Sequence, residues 1–325
     1  MPDLLCIGHA TYDTFLKVDN AQLHCDINNE NCLVCFGFGV KVPVSEIHYG
    51  VGGGASNTAV GCKKLGIHTA IFTIVGSDSR GTDIAANLMS KGVDTTYIHM
   101  DNDVTDQSSI VSYSEERTIF TYSEDREYRL DTIGEHYPYV YLSSVGRNVD
   151  RLYKDVIDMK AKNPNMVLFY NPGSKELRDC HDEIEQLLPH VDYLIVNVEE
   201  GCQIVNNSMS RLNVEVDDLS NMLTDKGITN VILTDGENGV YLTTKTDHLH
   251  IPAIKTEVIE KTGAGDAFAA GFISAIIHGK PILEACQWGI INGAAVMREV
   301  GAQNGILDLE QMEKELEAIK TENES

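Results

Sequence analysis

The sequence predicts an α/β protein, a mostly parallel sheet covered by helices on both faces, with a small β-sheet projecting from it. Three observations predict this. Short apolar runs alternate with helix-length amphipathic segments over most of the chain. Two early stretches break the alternation with strand and hairpin patterns instead. A glycine-rich segment near residue 263 then leads directly into a long apolar run without proline.

Taken in order, the apolar runs are Leu4–Gly8, Thr69–Val75, Tyr139–Ser143, Met166–Tyr170, Tyr193–Val196, Val231–Thr234 and Gly239–Thr243. Amphipathic segments at Ala55–Leu65, Gly81–Lys91, Arg151–Lys162 and Lys175–Leu188 read as covering helices. The turn Thr234–Gly239 between two strand patterns predicts an antiparallel excursion late in the sheet. Of the two exceptions, Tyr12–Val51 contains no helix pattern, and Val40–Tyr49 alternates like an exposed strand. Gln107–Tyr128 reads as a hairpin, Ser109–Tyr113 and Thr118–Tyr122 joined at Ser114–Arg117. Together, about 14–50 and 107–128, they suit a lid over a ligand cleft; a decorated sheet edge is the plainer reading. The chain reads as one domain over 1–325, ending in a charged surface helix that frays from Glu310 to Ser325.

Composition narrows the function. A formal charge of −24 with a pI near 4.7 argues against nucleic-acid or anionic-membrane partners. No apolar run reaches membrane-span length. Met1–Gly8 lacks a basic region followed by a long apolar one and reads as a first strand. Eight cysteines in 325 residues are too dilute for a disulfide scaffold. Cys6, Cys62, Cys202 and Cys286 read as core thiols of a reducing cytoplasm. The cluster His24, Cys25, Cys32 and Cys35 raises the question of zinc, but no second Cys pair follows, so thiols of an inserted loop are expected.

Four constellations bear chemistry. Gly263-Ala264-Gly265 would present backbone N–H groups at a helix N-terminus, with Asp266 in the first turn as a base for an incoming hydroxyl. An ordinary glycine loop capped by Asp has the same pattern. Gly50–Ala59 leads into a helix with Asn57 in its first turn, able to donate to and accept from sugar-like hydroxyls. Its spacing misses the G-x-G-x-x-G dinucleotide fingerprint. Asn197 and Glu200, three apart after a strand, fit either a hydrated metal–phosphate or a helix capping box. Asp13, after the first strand, suits a ligand at the sheet's carboxyl edge, although a lone loop Asp is more often a solvated turn residue.

Together these residues resemble the PfkB/ribokinase family of carbohydrate kinases. The signature Asp-Thr-x-Gly-Ala-Gly-Asp is similar to Glu260–Asp266, and Asn-x-x-Glu to Asn197–Glu200. Thr-x-Gly-x-x-Gly matches Thr234, Gly236 and Gly239, and Gly-Gly-x-x-Asn-x-Ala matches Gly53, Gly54, Asn57 and Ala59; Gly301-Ala302-Gln303 also fits. The resemblance implies a ribokinase-like, Rossmann-like α/β/α sandwich with a β-sheet lid, transferring the γ-phosphate of ATP to a primary hydroxyl. Asp266 would be the base, and the amides of Gly263, Ala264 and Gly265 the anion hole. Asn197 and Glu200 would organise Mg²⁺ through water. Thr234, Gly236, Gly239 and Asn292 would lie along the nucleotide, and Asp13, Gly53, Gly54, Asn57 and Tyr113 would hold the acceptor. A homodimer through the lid is a further expectation.

Two departures stand out. Glu260-Lys261 replaces Asp-Thr, where many relatives place a monovalent-cation site, so potassium activation is not expected here. Asp19–Phe38 is longer than the usual loop between lid strands. A sugar is the expected acceptor, with a nucleoside or a non-catalytic sugar- or nucleotide-binding regulator as alternatives. A sugar phosphate would need a cation, for which Arg117, Arg126 and Arg129 are candidates.

Overall fold

The computed structural model describes residues 3–25, 32–113, 116–134, 137–206 and 215–323, with side chains described up to residue 319. The chain opens with β1 (Leu4–Ile7), buried at every position. It continues with β2 (Thr11–Val18), β3 (Gln22–Cys25), β4 (Cys32–Cys35) and β5 (Val44–Gly52) before the first helix, α1 (Gly54–Lys64). Then come β6 (Thr69–Gly76), α2 (Ser79–Ser90), β7 (Asp94–Asp101) and the hairpin β8 (Gln107–Tyr113) and β9 (Glu116–Tyr122). Strand–helix alternation resumes with β10 (Tyr139–Leu142), α3 (Asp150–Lys162) and β11 (Val167–Tyr170), followed by α4 (Ser174–Asp179) and α5 (His181–Leu187). The chain passes through β12 (Tyr193–Asn197), α6 (Val198–Asn206) and α7 (Val216–Thr224) to β13 (Asn230–Thr234), β14 (Val240–Thr243) and β15 (His248–Ile251). Three helices, α8 (Ala264–Ile277), α9 (Ile282–Val296) and α10 (Leu309–Asn323), close it.

The main sheet has nine strands in the order β15-β14-β13-β12-β11-β10-β1-β6-β7. Seven neighbouring strands pair in parallel; β14 alone is reversed, pairing antiparallel with both β13 and β15, the excursion expected after Thr234. One apolar layer lies on each face, as the continuous apolar strands require. β7 and β15 escaped the sequence reading because edge strands mix polar and apolar residues. The predicted helix at 175–188 is two helices broken at Cys180, whose φ of −129° and ψ of 41° are not helical. Nor does the last helix lie free: Met312 and Leu316 are buried in the core.

A second sheet, ordered β5-β2-β8-β9, is built from the two stretches that broke the alternation, and its β8–β9 hairpin is tighter than expected, since Glu116 and Arg117 belong to β9 and Tyr113 pairs with Glu116. The hairpin positions Ser114 and Glu115 lie outside the described residues. The inserted loop forms its own two-stranded sheet, β3 against β4. There the structure corrects the expectation of thiols, because Cys25 and Cys32 sit opposite each other and are disulfide-bonded. Cys35 remains free, and the four predicted core thiols are all buried.

Small residues bring the two helices of the site together. A Cβ at Gly61 would lie 2.5 Å from Ala270 Cβ, so α1 and α8 can touch only because Gly61 has none. On α8's other side, Gly271 and Gly289 play the same part against Trp288 and Phe268. One turn before the Gly61–Ala270 contact on each helix stand Asn57 and Asp266.

Candidate active site

The N-termini of α1 and α8 converge where the carboxyl ends of parallel strands leave a crevice. Gly263 caps α8 at φ 82°, and a Cβ there would be 2.6 Å from Ala302 Cβ, so this turn needs glycine on two counts. Space around Gly265 is open. Of the three predicted amides, that of Ala264 already donates to the Lys261 carbonyl at 3.3 Å. Among the described residues no bond engages the N–H of Gly263 or Gly265.

Asp266 keeps part of its surface exposed, and Asn57 Nδ2 donates to its Oδ2 at 2.7 Å. Burial raises its pKa, and the Asn57 hydrogen bond pulls the other way. Gly54 must be bare: a Cβ would approach Asp266 Oδ1 to 3.3 Å and Ser143 Oγ to 2.3 Å. Gly53, at φ 91°, lies against the His9 carbonyl. Asn57 is held at both ends of its amide, since Gln303 Nε2 donates to its Oδ1 at 3.0 Å, and one Nδ2 hydrogen is left for a ligand.

Asp13 is buried on β2, and Thr11 Oγ1 donates to its Oδ1 at 2.8 Å. Gly52, on the neighbouring strand, leaves room for that carboxylate. Burial pushes the Asp13 pKa up to about 6, with the charges of Asp266 and Glu260 adding to the rise and hydrogen bonds from Thr11 and Ser108 opposing it. Asp13, Asp266 and Glu260 therefore act on one another, and Glu200 belongs to the same field. Its pKa is raised to about 7 by burial first, with the charges of Asp266 and Glu199 in support.

Asn197 and Glu200 do form a capping box. The Asn197 N–H donates to Glu200 Oε2 at 2.9 Å, and the Glu200 N–H to Asn197 Oδ1 at 2.8 Å. Asn197 pairs in register with Thr234, so two candidate residues share one edge of the sheet. Gly236 and Gly239 both have positive φ, and Gly239 lies against the Ile251 carbonyl. Asn292 is a correction: it is fully buried, donates to the Ala267 carbonyl at 2.7 Å and accepts from the Leu307 N–H at 3.1 Å. Both ends of its amide join α8, α9 and the following loop, leaving nothing for a nucleotide. Tyr113 faces the cleft, but its hydroxyl donates to the Ala21 carbonyl.

Between the lid and residues 258–261 lies a cavity of about 570 Å³. Phe15, His48 and Tyr113 line it from the lid and Val258, Ile259 and Val300 from the body. Asp266 is not among its lining residues, so it is the outer part of the crevice rather than the reacting centre. Here the departure Glu260-Lys261 meets β9: Lys261 Nζ is 2.6 Å from Glu116 Oε1, and Arg117 Nε is 3.6 Å from Glu260 Oε1. Arg126, by contrast, is buried between Asp101 and Asp106, and Arg129 pairs with Glu127. Sequence reading missed two participants. Arg117 had been weighed only as a phosphate holder, and Ser143 carried a usable signal as the polar residue ending an apolar strand run.

An α/β body, an acid at a bare helix N-terminus and a lid over the crevice define a phosphotransferase acting on an alcohol. Residues 1–309 match the profile of the pfkB family carbohydrate kinases, and the chain belongs to that family. It is 26% identical over 334 residues to a nucleoside kinase of Methanocaldococcus jannaschii, covering 98% of this chain and 97% of that protein. It is 26% identical over 261 residues to a ribokinase of Haemophilus influenzae, covering 78% and 83%. The solved Arabidopsis thaliana ribokinase complexed with ribose and ATP superposes with a TM-score of 0.78 at 19% identity, covering 96% and 98%.

Proposed function

We propose that the protein transfers the γ-phosphate of ATP to the primary hydroxyl of a sugar, with Asp266 as the base. The observation that carries this is the Asn57–Asp266 contact, 2.7 Å at the open start of α8 beside the bare Gly54. An acceptor hydroxyl between Gly54 and Asp266 would give its proton to Oδ1 while Oδ2 stays held by Asn57. The raised Asp266 pKa brings the base nearer neutral pH, which favours proton transfer as the oxygen–phosphorus bond forms. The Gly263 and Gly265 amides, with the dipole of α8, would take up charge on the moving phosphoryl group. Thr234, Gly236 and Gly239 would lie along the nucleotide. Asp13, Gly53 and Asn57 would orient the acceptor, and lid closure would exclude water.

Magnesium fits the donor chemistry. Glu200 is a half-buried carboxylate near the charges of Asp266 and Glu199, and such oxygen donors suit a hard divalent cation. When bound through water, the ion would neutralise charge between the outer phosphates.

A nucleoside is the second reading for the acceptor, favoured by Phe15, His48 and Tyr113 facing the cleft, where a base could stack. A sugar phosphate is disfavoured, because Lys17, Arg117 and Lys261 in the cleft are each already paired with a glutamate. A homodimer through the lid suits its exposed Leu33, Ile47, Tyr49 and Phe120, and light scattering would test it. A cytoplasmic location suits the buried free thiols, while the Cys25–Cys32 disulfide runs against it. ATP turnover against a panel of sugars and nucleosides tests the function. Turnover of at least one primary alcohol is expected; ligand binding without turnover across the panel would identify a sensor instead.

A further inference from the structure

Behind Asp266 a line of side chains runs outward through the body. Asn57 Nδ2 donates to Asp266 Oδ2 at 2.7 Å, Gln303 Nε2 to Asn57 Oδ1 at 3.0 Å, and Lys91 Nζ to Gln303 Oε1 at 2.5 Å. Asn57 and Gln303 are buried, and Lys91, which follows α2, is half-buried. Gln303 follows Ala302, whose Cβ lies against Gly263, so one loop meets both the cap of α8 and the partner of Asn57.

A primary amide donates at one end and accepts at the other, so each amide in this line has two ways to point. Its surroundings permit one. The Lys91 ammonium has no acceptor, so Gln303 must turn Oε1 toward it and Nε2 inward. Ser56 fixes the same sense independently. Its hydroxyl donates to the Gly52 carbonyl, so Ser56 Oγ is left to accept from Gln303 Nε2 at 3.3 Å. Gln303 therefore offers Asn57 only N–H, Asn57 answers with Oδ1, and Nδ2 is the end that faces Asp266. With Asn57 turned over, two acceptor oxygens would meet at the Asp266 carboxyl, which would then need a proton between them. A protonated Asp266 takes no proton from an alcohol. The other charged and titratable groups stand off this line. Lys64, Arg298 and Glu299 share a groove with Lys91, and Asp13 on β2, Glu200 on α6 and Tyr141 on β10 feel the charge of Asp266. Among the described residues no hydrogen bond joins any of them to Gln303 or Asn57.

We propose that Gln303 is a positioning residue for phosphoryl transfer: held by Lys91 and Ser56, it orients Asn57 to donate to Asp266 rather than accept from it. The inference rests on Asp266 being the base. Gln303 lies behind Asn57 and acts through it. The same orientation leaves the second Nδ2 hydrogen of Asn57 for the acceptor, so proton transfer and acceptor binding depend on one amide.

Gln303→Glu tests this in the full chain, because it keeps the size and the Lys91 contact but removes the donor. Facing a carboxylate, Asn57 has to turn over. With the acceptor that the sugar and nucleoside panel identifies, kcat/KM should fall at least about ten-fold while KM for ATP stays within about two-fold. The acid limb of the pH profile should rise by about one pH unit. Gln303→Met frees Asn57 without reversing it and should lose less. Lys91→Met loosens the outer hold without burying a charge, lowers kcat/KM about three-fold, and carries the test should Gln303→Glu fail to fold. Lys64→Gln removes a positive charge from the same groove without touching the line, and should change neither rate nor acid limb. Wild-type kinetics in Gln303→Glu, or equal losses in Gln303→Glu and Gln303→Met with an unmoved acid limb, would overturn the proposal. So would a shift in Lys64→Gln as large as that in Lys91→Met, which would make the effect one of charge alone. A second readout needs no turnover: the Asp266 carboxyl, followed by ¹³C NMR and assigned by its absence in Asp266→Asn, should titrate higher in Gln303→Glu than in wild type. Equal midpoints overturn the proposal. A wild type that phosphorylates nothing defeats the kinase reading, and the carboxyl titration still decides whether Gln303 sets Asn57.

Discussion

The start of α8 and the lid strand β9 face the same crevice but are held in opposite ways. Asp266 is fixed by helices packed through bare glycines, with Gly61 against Ala270 and Gly271 against Trp288. On β9, Ile119, Phe120 and Tyr122 are exposed, and the strand reaches residues 260–261 through two charged contacts. Close packing holds a reacting group to a fraction of an ångström, whereas an exposed charge pair such as Lys261–Glu116 yields at little cost, leaving Arg117 beside the buried Glu260 as the firmer of the two contacts. The difference teaches a division of labour. On the proposed reading the body would set the geometry of proton and phosphoryl transfer, and the second sheet would serve as a lid that opens and closes over it.

Removing the proposed base tests the rigid side hardest. Asp266→Asn keeps the size and the Asn57 contact but cannot take a proton. Steady-state kinetics should show kcat lower by on the order of 10²–10⁴-fold with a near-native melting temperature. A mutant with near-native kcat would place the base elsewhere and leave Asp266 as a helix cap.

Asp13 stands where the two regions meet, on a lid strand but buried beside the body's acids. With its pKa raised to about 6, the folded state binds a proton more tightly than the unfolded one. The protein is therefore relatively more stable below the unfolded value near 4, and loses that advantage as pH rises through about 6. Asp13→Asn abolishes the titration. Its melting temperature should gain on wild type between pH 5 and pH 8, by at most ~2–3 kcal/mol of stability, while acceptor KM rises. A constant difference across that range would show that the carboxylate is not strained by burial.

Much of this was legible in the sequence, for reasons that residues make plain. Leu4–Ile7 reads as a strand because a parallel strand buried on both faces has to be apolar throughout. Glu260–Asp266 reads as a phosphate cradle because glycine, turn and acid fall next to one another. The Asn197–Glu200 pattern was ambiguous, and its capping box is real, while the proposed ligand role of Glu200 rests on its neighbours in space, which no spacing reveals. Asn292 misled because polarity on an apolar helix suggests a ligand, whereas its partners are the Ala267 carbonyl and Leu307 N–H. The Arg117–Glu260 approach joins residues far apart in sequence, so only the fold brings it into view.

That approach is where the yielding side can be tested. Arg117→Ala strips the neighbour from a buried Glu260 carboxylate and should raise acceptor KM about ten-fold, with a smaller change in kcat. Lys261→Gln removes only an exposed pair with Glu116 and should change KM about two-fold or less. Equal effects in the two variants would mean that the charges act together on the lid rather than through Glu260.

The smallest effect expected is the response to monovalent cations, and it bears on why this chain carries Glu260-Lys261 next to the proposed anion hole. Thr262 donates its N–H and its hydroxyl to Glu260 Oε1, which ties this acid to the turn that leads into Gly263. The nearby Arg117 guanidinium is a fixed positive charge on the same carboxylate, covalently attached and independent of the buffer. A site already served by a guanidinium gains little from an inorganic cation. Rates in sodium and potassium buffers of equal ionic strength should therefore agree within about two-fold. Glu260 Oε2, however, is buried without a hydrogen-bond partner, so it remains the atom to which a cation would go. Arg117→Gln should uncover it, and potassium should then restore activity that sodium does not. Potassium activation of the wild type would show that Arg117 does not fill this role, and that the lid reaches the anion hole through Lys261 alone.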